Sequence, residues 1–134
     1  MRYLLDTHII LWALSDSDKL SPLVRAMLQN PLNHFLFSTA SVWDVAINHE
    51  RNPSLMLVSG IEYSVKCVEM GLAGLPVENK HVHLLETLKR SPNELPHKDP
   101  FDRIMLAQAK AEGIKFITHD SLIPGYNEPC VMFV

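Results

Sequence analysis

The sequence of 134 residues has only two cysteines, no excess of basic residues and no internal repeat or low-complexity segment. Cys67 and Cys130 form no Cys-x-x-Cys motif, so they indicate reduced, buried thiols in a cytosolic protein rather than a disulfide framework. Twelve basic residues against fifteen acidic ones give a net charge of −3. This balance argues against an extended surface that grips duplex DNA.

The chain also lacks a recognisable export or membrane-spanning segment. Charges at Arg2 and Asp6 interrupt the first apolar residues before the core of a signal peptide could form. The uncharged stretch over residues 26–43 contains too many polar residues to span a bilayer. We therefore expect one soluble, cytoplasmic domain over residues 1–134 with no membrane partner, long enough to bury about two-thirds of its unfolded surface.

Short apolar runs alternate with segments of helical periodicity along the chain. The runs that predict strands cover residues 3–5, 34–37, 72–77, 114–117 and 131–134. Helices are predicted between them, including one after Ser21-Pro22 and one after Ser38-Thr39. This alternation predicts an α/β fold, with a central, mostly parallel sheet flanked by helices on both faces.

Two of these helices carry detailed expectations about burial. The helix over residues 60–70 is predicted to bury Ile61, Val65 and Val68. The helix over residues 78–90 is predicted to bury four aliphatic residues: Val82, Leu84, Leu85 and Leu88. His81 and His83 are two residues apart, so they point in different directions on a helix and are expected to be surface histidines rather than a metal pair.

A polar motif precedes the most regular helical pattern of the chain. Asp99 is a good N-cap, Pro100 suits the first helical position, and Gly113 favours a C-terminal cap. Asp102 falls in the first turn, where a carboxylate interacts favourably with the helix dipole. Taken alone, both aspartates are explained by these structural roles.

Three further aspartates occupy informative positions. Asp6 and Asp120 follow predicted strands, and the carboxyl ends of parallel strands are where α/β folds bind ligands. Asp6 equally suits a helix cap. Asp44 lies inside an apolar helical segment, where it faces either a metal ion or solvent together with Asn48. A phosphatase with a nucleophilic Asp6 would require a second aspartate at position 8, which is a histidine.

The predicted sheet brings Asp6, Asp44, Asp102 and Asp120 to one edge. Carboxylates so close repel one another, and a hard divalent cation relieves that repulsion. Mg²⁺ or Mn²⁺ prefers oxygen ligands and substrate phosphates. The arrangement therefore predicts metal-assisted hydrolysis of a phosphodiester, in which the ion activates a water and stabilises the leaving oxygen.

Four segments that contain these aspartates resemble the PIN domain, in particular the VapC-type toxin ribonucleases. They are residues 4–8 (LLDTH), 41–47 (SVWDVAI), 98–109 (KDPFDRIMLAQA) and 117–120 (ITHD). The resemblance covers nearly the whole chain in the same order. It implies a Mg²⁺- or Mn²⁺-dependent endoribonuclease, a homodimer, and a cognate antitoxin whose C-terminal segment occupies the active-site groove.

By position, Asp6, Asp102 and Asp120 fall on the metal-site acids of the family, and Asp44 stands where the family usually has glutamate. Asp99 is an additional cap or outer ligand. Two threonines beside the acids, Thr7 and Thr118, are expected to support them. The candidate phosphate contacts are Lys98, Arg103 and His8, and His119 stands where relatives tend to carry arginine. The alternative is a non-catalytic PIN-fold protein that binds only antitoxin or RNA.

Overall fold

The computed structural model describes all residues from 1 to 134. It contains a five-stranded parallel sheet in the order β3-β2-β1-β4-β5. The strands are β1 (Arg2–Leu5), β2 (His34–Ser38), β3 (Ala73–Leu75), β4 (Lys115–Thr118) and β5 (Val131–Phe133). β1 is central, with Leu4 opposite Leu36 of β2 and Phe116 of β4.

Six α-helices connect and cover the strands. They are α1 (Thr7–Leu14), α2 (Pro22–Gln29), α3 (Thr39–Arg51), α4 (Gly60–Glu69), α5 (Asn79–His83) and α6 (Pro100–Glu112). Short 3-10 helices cover Leu84–Thr87 and Ile123–Tyr126. Even the longest helices have 13 residues, and none has the length and hydrophobicity of a bilayer span.

The two faces of the sheet carry separate cores because side chains alternate along each strand. On one face Tyr3 and Leu5 pack with buried residues of α1, α2 and α4. On the other face Leu4 packs with α6, including Met105 and Leu106. The predicted α/β fold with helices on both faces is confirmed, and the helix of the polar motif has the predicted caps at Asp99 and Gly113.

The prediction of a single helix over residues 78–90 is largely wrong. α5 ends at His83, a 3-10 turn follows, and only Leu88 of the four expected residues is buried, whereas Val82 is exposed. His81 was expected to lie on the surface, but it is fully buried. Its Nδ1 accepts a hydrogen bond from the Glu78 N–H at 2.9 Å, and its Nε2 lies 3.5 Å from Glu112 Oε2.

The helix predicted over residues 60–70 exists as α4, but the opposite side is buried. Its inward residues are Gly60, Tyr63 and Cys67. The Tyr63 hydroxyl bonds to Ser41 of α3, and a Cβ at Gly60 would lie 2.9 Å from the Cβ of Ala46. The three aliphatic residues expected in the core are 79%, 50% and 63% exposed: Ile61, Val65 and Val68.

Candidate active site

A cleft of about 330 Å³ opens at the carboxyl ends of the central strands. Five of the eight residues that line it are aspartates. The full lining consists of Asp6, His8, Trp12, Asp44, Asp99, Asp102, His119 and Asp120. The cleft thus brings together all four acids that the sequence placed at one edge of the sheet, together with Asp99.

Asp6 lies between β1 and α1 and is 4% exposed. Its Oδ1 accepts a hydrogen bond from the Thr7 N–H at 2.7 Å, so it also caps α1. Its Oδ2 accepts one from the Thr118 hydroxyl at 2.6 Å. Burial raises the pKa of Asp6 even though both hydrogen bonds favour the ionised form.

Asp120 follows β4, and a local turn fixes its direction. Its N–H donates to Thr118 Oγ1 at 3.0 Å, while its Oδ1 accepts from the Leu122 N–H at 2.9 Å. The other oxygen, Oδ2, remains directed toward His97 at 3.4 Å. Thr118 therefore contacts both Asp6 and Asp120. Thr7, the other predicted supporting residue, bonds through its hydroxyl to Ser41 of α3 at 2.9 Å.

The two aspartates at the start of α6 have different environments. Asp99 is exposed, and its Oδ1 accepts hydrogen bonds from the N–H groups of Phe101 and Asp102 at 2.9 and 3.3 Å. Asp102 is 8% exposed. Burial, and then the negative charges of Asp6 and Asp99, raise the pKa of Asp102 to about 10.

Asp44 is half-buried on α3 and lines the cleft, so it does not simply face solvent. Burial, and then the charge of Asp99, raise its pKa. Its Oδ1 also accepts a hydrogen bond from Asn48 Nδ2 at 2.8 Å. Each of the two interpretations of Asp44 is therefore partly correct. The carboxylate shares a polar stripe with Asn48, and it also reaches the cleft where a metal ion would bind.

His97 belongs to this cluster, although no pattern in the sequence had singled it out. One oxygen each of Asp102 and Asp120 and a ring nitrogen of His97 all lie within 4.8 Å of one another. His97 follows a proline in an irregular segment, where periodicity gives no indication of burial. Its proximity to the acids arises from the tertiary fold.

The three candidate phosphate contacts occupy different places. His8 lines the cleft. Lys98 is exposed on the segment that leads into α6. Arg103 donates a hydrogen bond to the Leu85 carbonyl at 3.2 Å and is absent from the lining of the cleft. The fold thus brings only His8 of this set to the acidic cleft, where it is joined by His119.

Aromatic rings form one side of the cleft. The His8 and Trp12 ring centroids are 6.0 Å apart, and His119 meets Trp12 edge to face at 5.3 Å. Phe133, which does not itself line the cleft, stacks on His119 with the ring centroids 5.7 Å apart. We call these four side chains the aromatic wall.

The donor set fits a hard divalent cation. Carboxylates converge from the ends of β1 and β4 and from the start of α6, and two of them, Asp6 and Asp102, are buried with raised pKa values. A cation would compensate the repulsion among these carboxylates. Oxygen ligands of this kind are those that Mg²⁺ and Mn²⁺ prefer. With a polar cleft beside them, the site can hold a metal ion together with a phosphate-bearing substrate.

Comparison with known proteins gives one family and several structures of the same fold. The family model described as PIN domain matches residues 3–126. None of the curated proteins matches the chain. The structure of VapBC2 from Rickettsia felis, bound to a DNA fragment from its promoter, has a TM-score of 0.66 and 16% identity, covering 100% of this chain and 98% of that one.

Two further structures have the same fold. A toxin-antitoxin complex from Klebsiella pneumoniae has a TM-score of 0.59 and 17% identity, covering 97% of this chain and 95% of that one. FitAcB from Neisseria gonorrhoeae has a TM-score of 0.56 and 18% identity, with 92% of this chain and 89% of that one covered.

Proposed function

The chain belongs to the PIN domain family, and we propose that it is a metal-dependent endoribonuclease, the toxin of a bacterial toxin–antitoxin pair. The observation that carries this proposal is the convergence of Asp6, Asp102 and Asp120, which are far apart in sequence, in one cleft. The likeness to structures of toxin–antitoxin complexes supports the biological role.

In this proposal Asp6, Asp102 and Asp120 hold Mg²⁺ or Mn²⁺, and Asp44 reaches the ion directly or through a water. When bound, the ion supplies an activated water for in-line attack on the phosphodiester and stabilises the leaving oxygen. Thr118 and Thr7 hold Asp6 in its orientation through the hydrogen bonds described above. Asp99 fixes the start of α6 and thereby the direction of Asp102.

The substrate is single-stranded RNA, whose unstacked bases can lie against the aromatic wall. Bases of every type can stack on aromatic side chains, and such contacts contribute about 1–3 kcal/mol per base. His8 and His119 are the two histidines of the wall, and both line the cleft in which a phosphate would approach the acids. The net charge of −3 is consistent with a short RNA contact rather than a long basic surface.

An apolar groove continues from the acidic cleft and suits the antitoxin segment. The groove has a volume of about 450 Å³ and shares His8 and Trp12 with the cleft. Its other lining residues are mostly aliphatic: Leu11, Leu14, Ser15, Leu55, Met56, Leu57, Val58 and Lys66. A peptide with apolar residues in the groove and a basic side chain beside the aspartates would block substrate access.

The exposed aliphatic stripe of α4 is the surface that we assign to a homodimer. Ile61, Val65 and Val68 follow the i, i+4, i+7 spacing of one helix face. Exposed charges of both signs flank the stripe, with Lys66 beside Glu62 and Glu69. A second copy related by a two-fold axis can therefore cover the apolar residues and pair these charges.

The proposed nuclease activity is tested by incubating a mixed pool of RNA with the wild type and with the variants Asp6→Asn and Asp18→Asn. Asp18 is exposed outside the cleft and provides the same chemical change as a control. We expect Mn²⁺-dependent cleavage by the wild type and by Asp18→Asn, and its loss in Asp6→Asn and after addition of a chelator. Equal cleavage by Asp6→Asn would contradict the proposal.

The same variants separate the nuclease from a PIN-fold protein that only binds antitoxin or RNA. Expression of the wild type alone should arrest bacterial growth, and expression of Asp6→Asn should not. A binding protein without catalysis would give the same growth phenotype for both.

A further inference from the structure

His97 is a buried imidazole that lies between two of the acids. Its side chain is 3% exposed, and its Nε2 lies 3.4 Å from Asp102 Oδ2 and 3.4 Å from Asp120 Oδ2. Asp102 belongs to α6, whereas Asp120 follows β4. The imidazole is thus the group that contacts both carboxylates across two separate elements.

The other side of the ring is fixed by Tyr126. His97 Nδ1 lies 2.7 Å from the Tyr126 hydroxyl, and the two rings meet edge to face at 5.4 Å. The guanidinium of Arg90 lies 5.0 Å above the centre of the Tyr126 ring, and Arg90 Nε donates to the Leu95 carbonyl at 2.7 Å. These contacts restrict the orientation of the imidazole before any ligand arrives.

The hydrogen-bonding groups determine what the ring can do. With the proposed cation bound, Asp102 and Asp120 are ionised and only accept hydrogen bonds, so the Nε2 atom that faces them carries a proton and donates. Nδ1 can then accept a hydrogen bond from the Tyr126 hydroxyl. A donor between two carboxylates reduces their repulsion and fixes the direction of both.

The position of the ring distinguishes this role from direct coordination. The His97 side chain is nearly inaccessible and does not line the cleft, whereas the side chain of Asp120 is 32% exposed and does. The imidazole therefore lies on the protein side of the carboxylates. The cleft side is where a metal ion and a substrate would meet.

We infer that His97 is a positioning residue that holds Asp102 and Asp120 at the separation needed to share one divalent cation, with Tyr126 orienting the imidazole. This inference rests on the proposed metal-dependent function. It adds to the acidic site a Tyr126–His97 pair that neither substrate nor metal contacts.

The test measures Mn²⁺ affinity by electron paramagnetic resonance in the 134-residue chain. The variants are His97→Ala, Tyr126→Phe and the double variant, with His83→Ala as a control because His83 is an exposed histidine. We expect at least tenfold weaker Mn²⁺ binding for His97→Ala and a smaller loss for Tyr126→Phe. The Tyr126→Phe change should have no further effect once His97 is alanine, and His83→Ala should bind as the wild type.

The outcomes separate this inference from the proposed function. If the wild type neither binds Mn²⁺ nor cleaves RNA, both proposals are overturned. If the wild type does both and His97→Ala retains its affinity, only the role of His97 is overturned. Should His97→Ala fail to fold, Tyr126→Phe decides the question, because unchanged Mn²⁺ affinity in that variant also overturns the inference.

Pulsed resonance of the Mn²⁺-bound wild type tests how His97 acts. A positioning residue leaves no nitrogen directly bonded to the ion, so no strong ¹⁴N coupling is expected. A strong coupling that disappears in His97→Ala would make His97 a metal ligand and would overturn the positioning role.

Discussion

The Thr118 hydroxyl donates a hydrogen bond to Asp6 Oδ2 at 2.6 Å and accepts one from the Asp120 N–H at 3.0 Å. A single buried oxygen therefore links the ends of β1 and β4, the two central strands that carry these acids. The donated hydrogen bond favours the ionised form of Asp6, which burial alone disfavours.

We expect Thr118→Val to weaken Mn²⁺ binding about tenfold, which corresponds to about 1.4 kcal/mol. Valine preserves the shape of threonine but leaves Asp6 without its side-chain donor, so the pKa of Asp6 should rise further. Calorimetric titration with Mn²⁺ measures the change. Thr118→Ser retains the hydroxyl and should bind close to the wild-type level, and equal affinities for the two variants would contradict this role.

The raised pKa of Asp102 should make the stability of the metal-free protein depend on pH. Its pKa is about 10 in the folded state, against an ordinary value of 3.8. The folded chain therefore retains a proton that the unfolded chain releases, and the free energy of unfolding should fall as pH rises between about 4 and 10. Thermal unfolding without metal, measured across this range, checks the sign.

Asp102→Asn should remove that contribution, because the amide cannot ionise. At pH 8 without metal, we expect a melting temperature higher by about 4 °C, the shift that about 1 kcal/mol produces in a domain of this size. Addition of Mn²⁺ should stabilise the wild type and the control Asp18→Asn but not Asp102→Asn. A lower melting temperature for Asp102→Asn would contradict the inference that the folded structure disfavours an ionised carboxylate at this position.

The sequence was informative about the acids because their positions follow from local signals. Asp6 comes directly after β1, and Asp120 lies two residues after the end of β4, so parallel pairing brings both to one edge of the sheet. Asp102 lies in the first turn of α6, just after the Asp99 cap. Helix caps and strand ends are short-range features. The α/β fold and the meeting of the aspartates at one edge of the sheet could therefore be predicted.

The features that the sequence did not predict depend on distant contacts. His97 is buried because Tyr126 and the acids surround it, and His81 is buried against Glu112 of α6. In α4 the periodicity indicated an apolar side, but Gly60 and Tyr63 turn the opposite side toward α3. Hydrophobic spacing identifies a helix face without specifying whether the fold or a second chain covers it.

Trp12→Ala tests the aromatic wall. Loss of the indole removes a stacking surface beside the acids without removing a metal ligand, so the KM for a short RNA should rise about tenfold while Mn²⁺ affinity stays unchanged. Trp43→Ala provides a control, because Trp43 is an exposed tryptophan that does not line the cleft. An equal KM for both variants would contradict a role in RNA binding.

Val65→Glu tests the dimer surface on α4. Val65 is the middle residue of the exposed stripe, so a two-fold contact would place two glutamates in or beside an apolar interface. Sedimentation should give a dimer for the wild type and a monomer for Val65→Glu, with unchanged helical content by circular dichroism. The exposed Leu32 is not part of the α4 stripe, and Leu32→Glu should remain dimeric. A monomeric wild type would exclude this surface as a stable dimer contact.

Asp44→Glu tests whether position 44 faces the metal ion. The aspartate lines the cleft from α3 but is shorter by one methylene than the glutamate of the resembling family, and Asn48 binds its Oδ1. A longer carboxylate can reach the ion without a bridging water, so Mn²⁺-dependent cleavage should be preserved or increased. Asp44→Asn keeps the length but removes the charge, and its activity should fall about tenfold, as a loss of about 1.4 kcal/mol of transition-state stabilisation predicts. The contrary outcome is complete loss of cleavage in Asp44→Glu with an unchanged melting temperature. It would mean that the side chain at position 44 does not contact the ion and that the added methylene only obstructs the cleft.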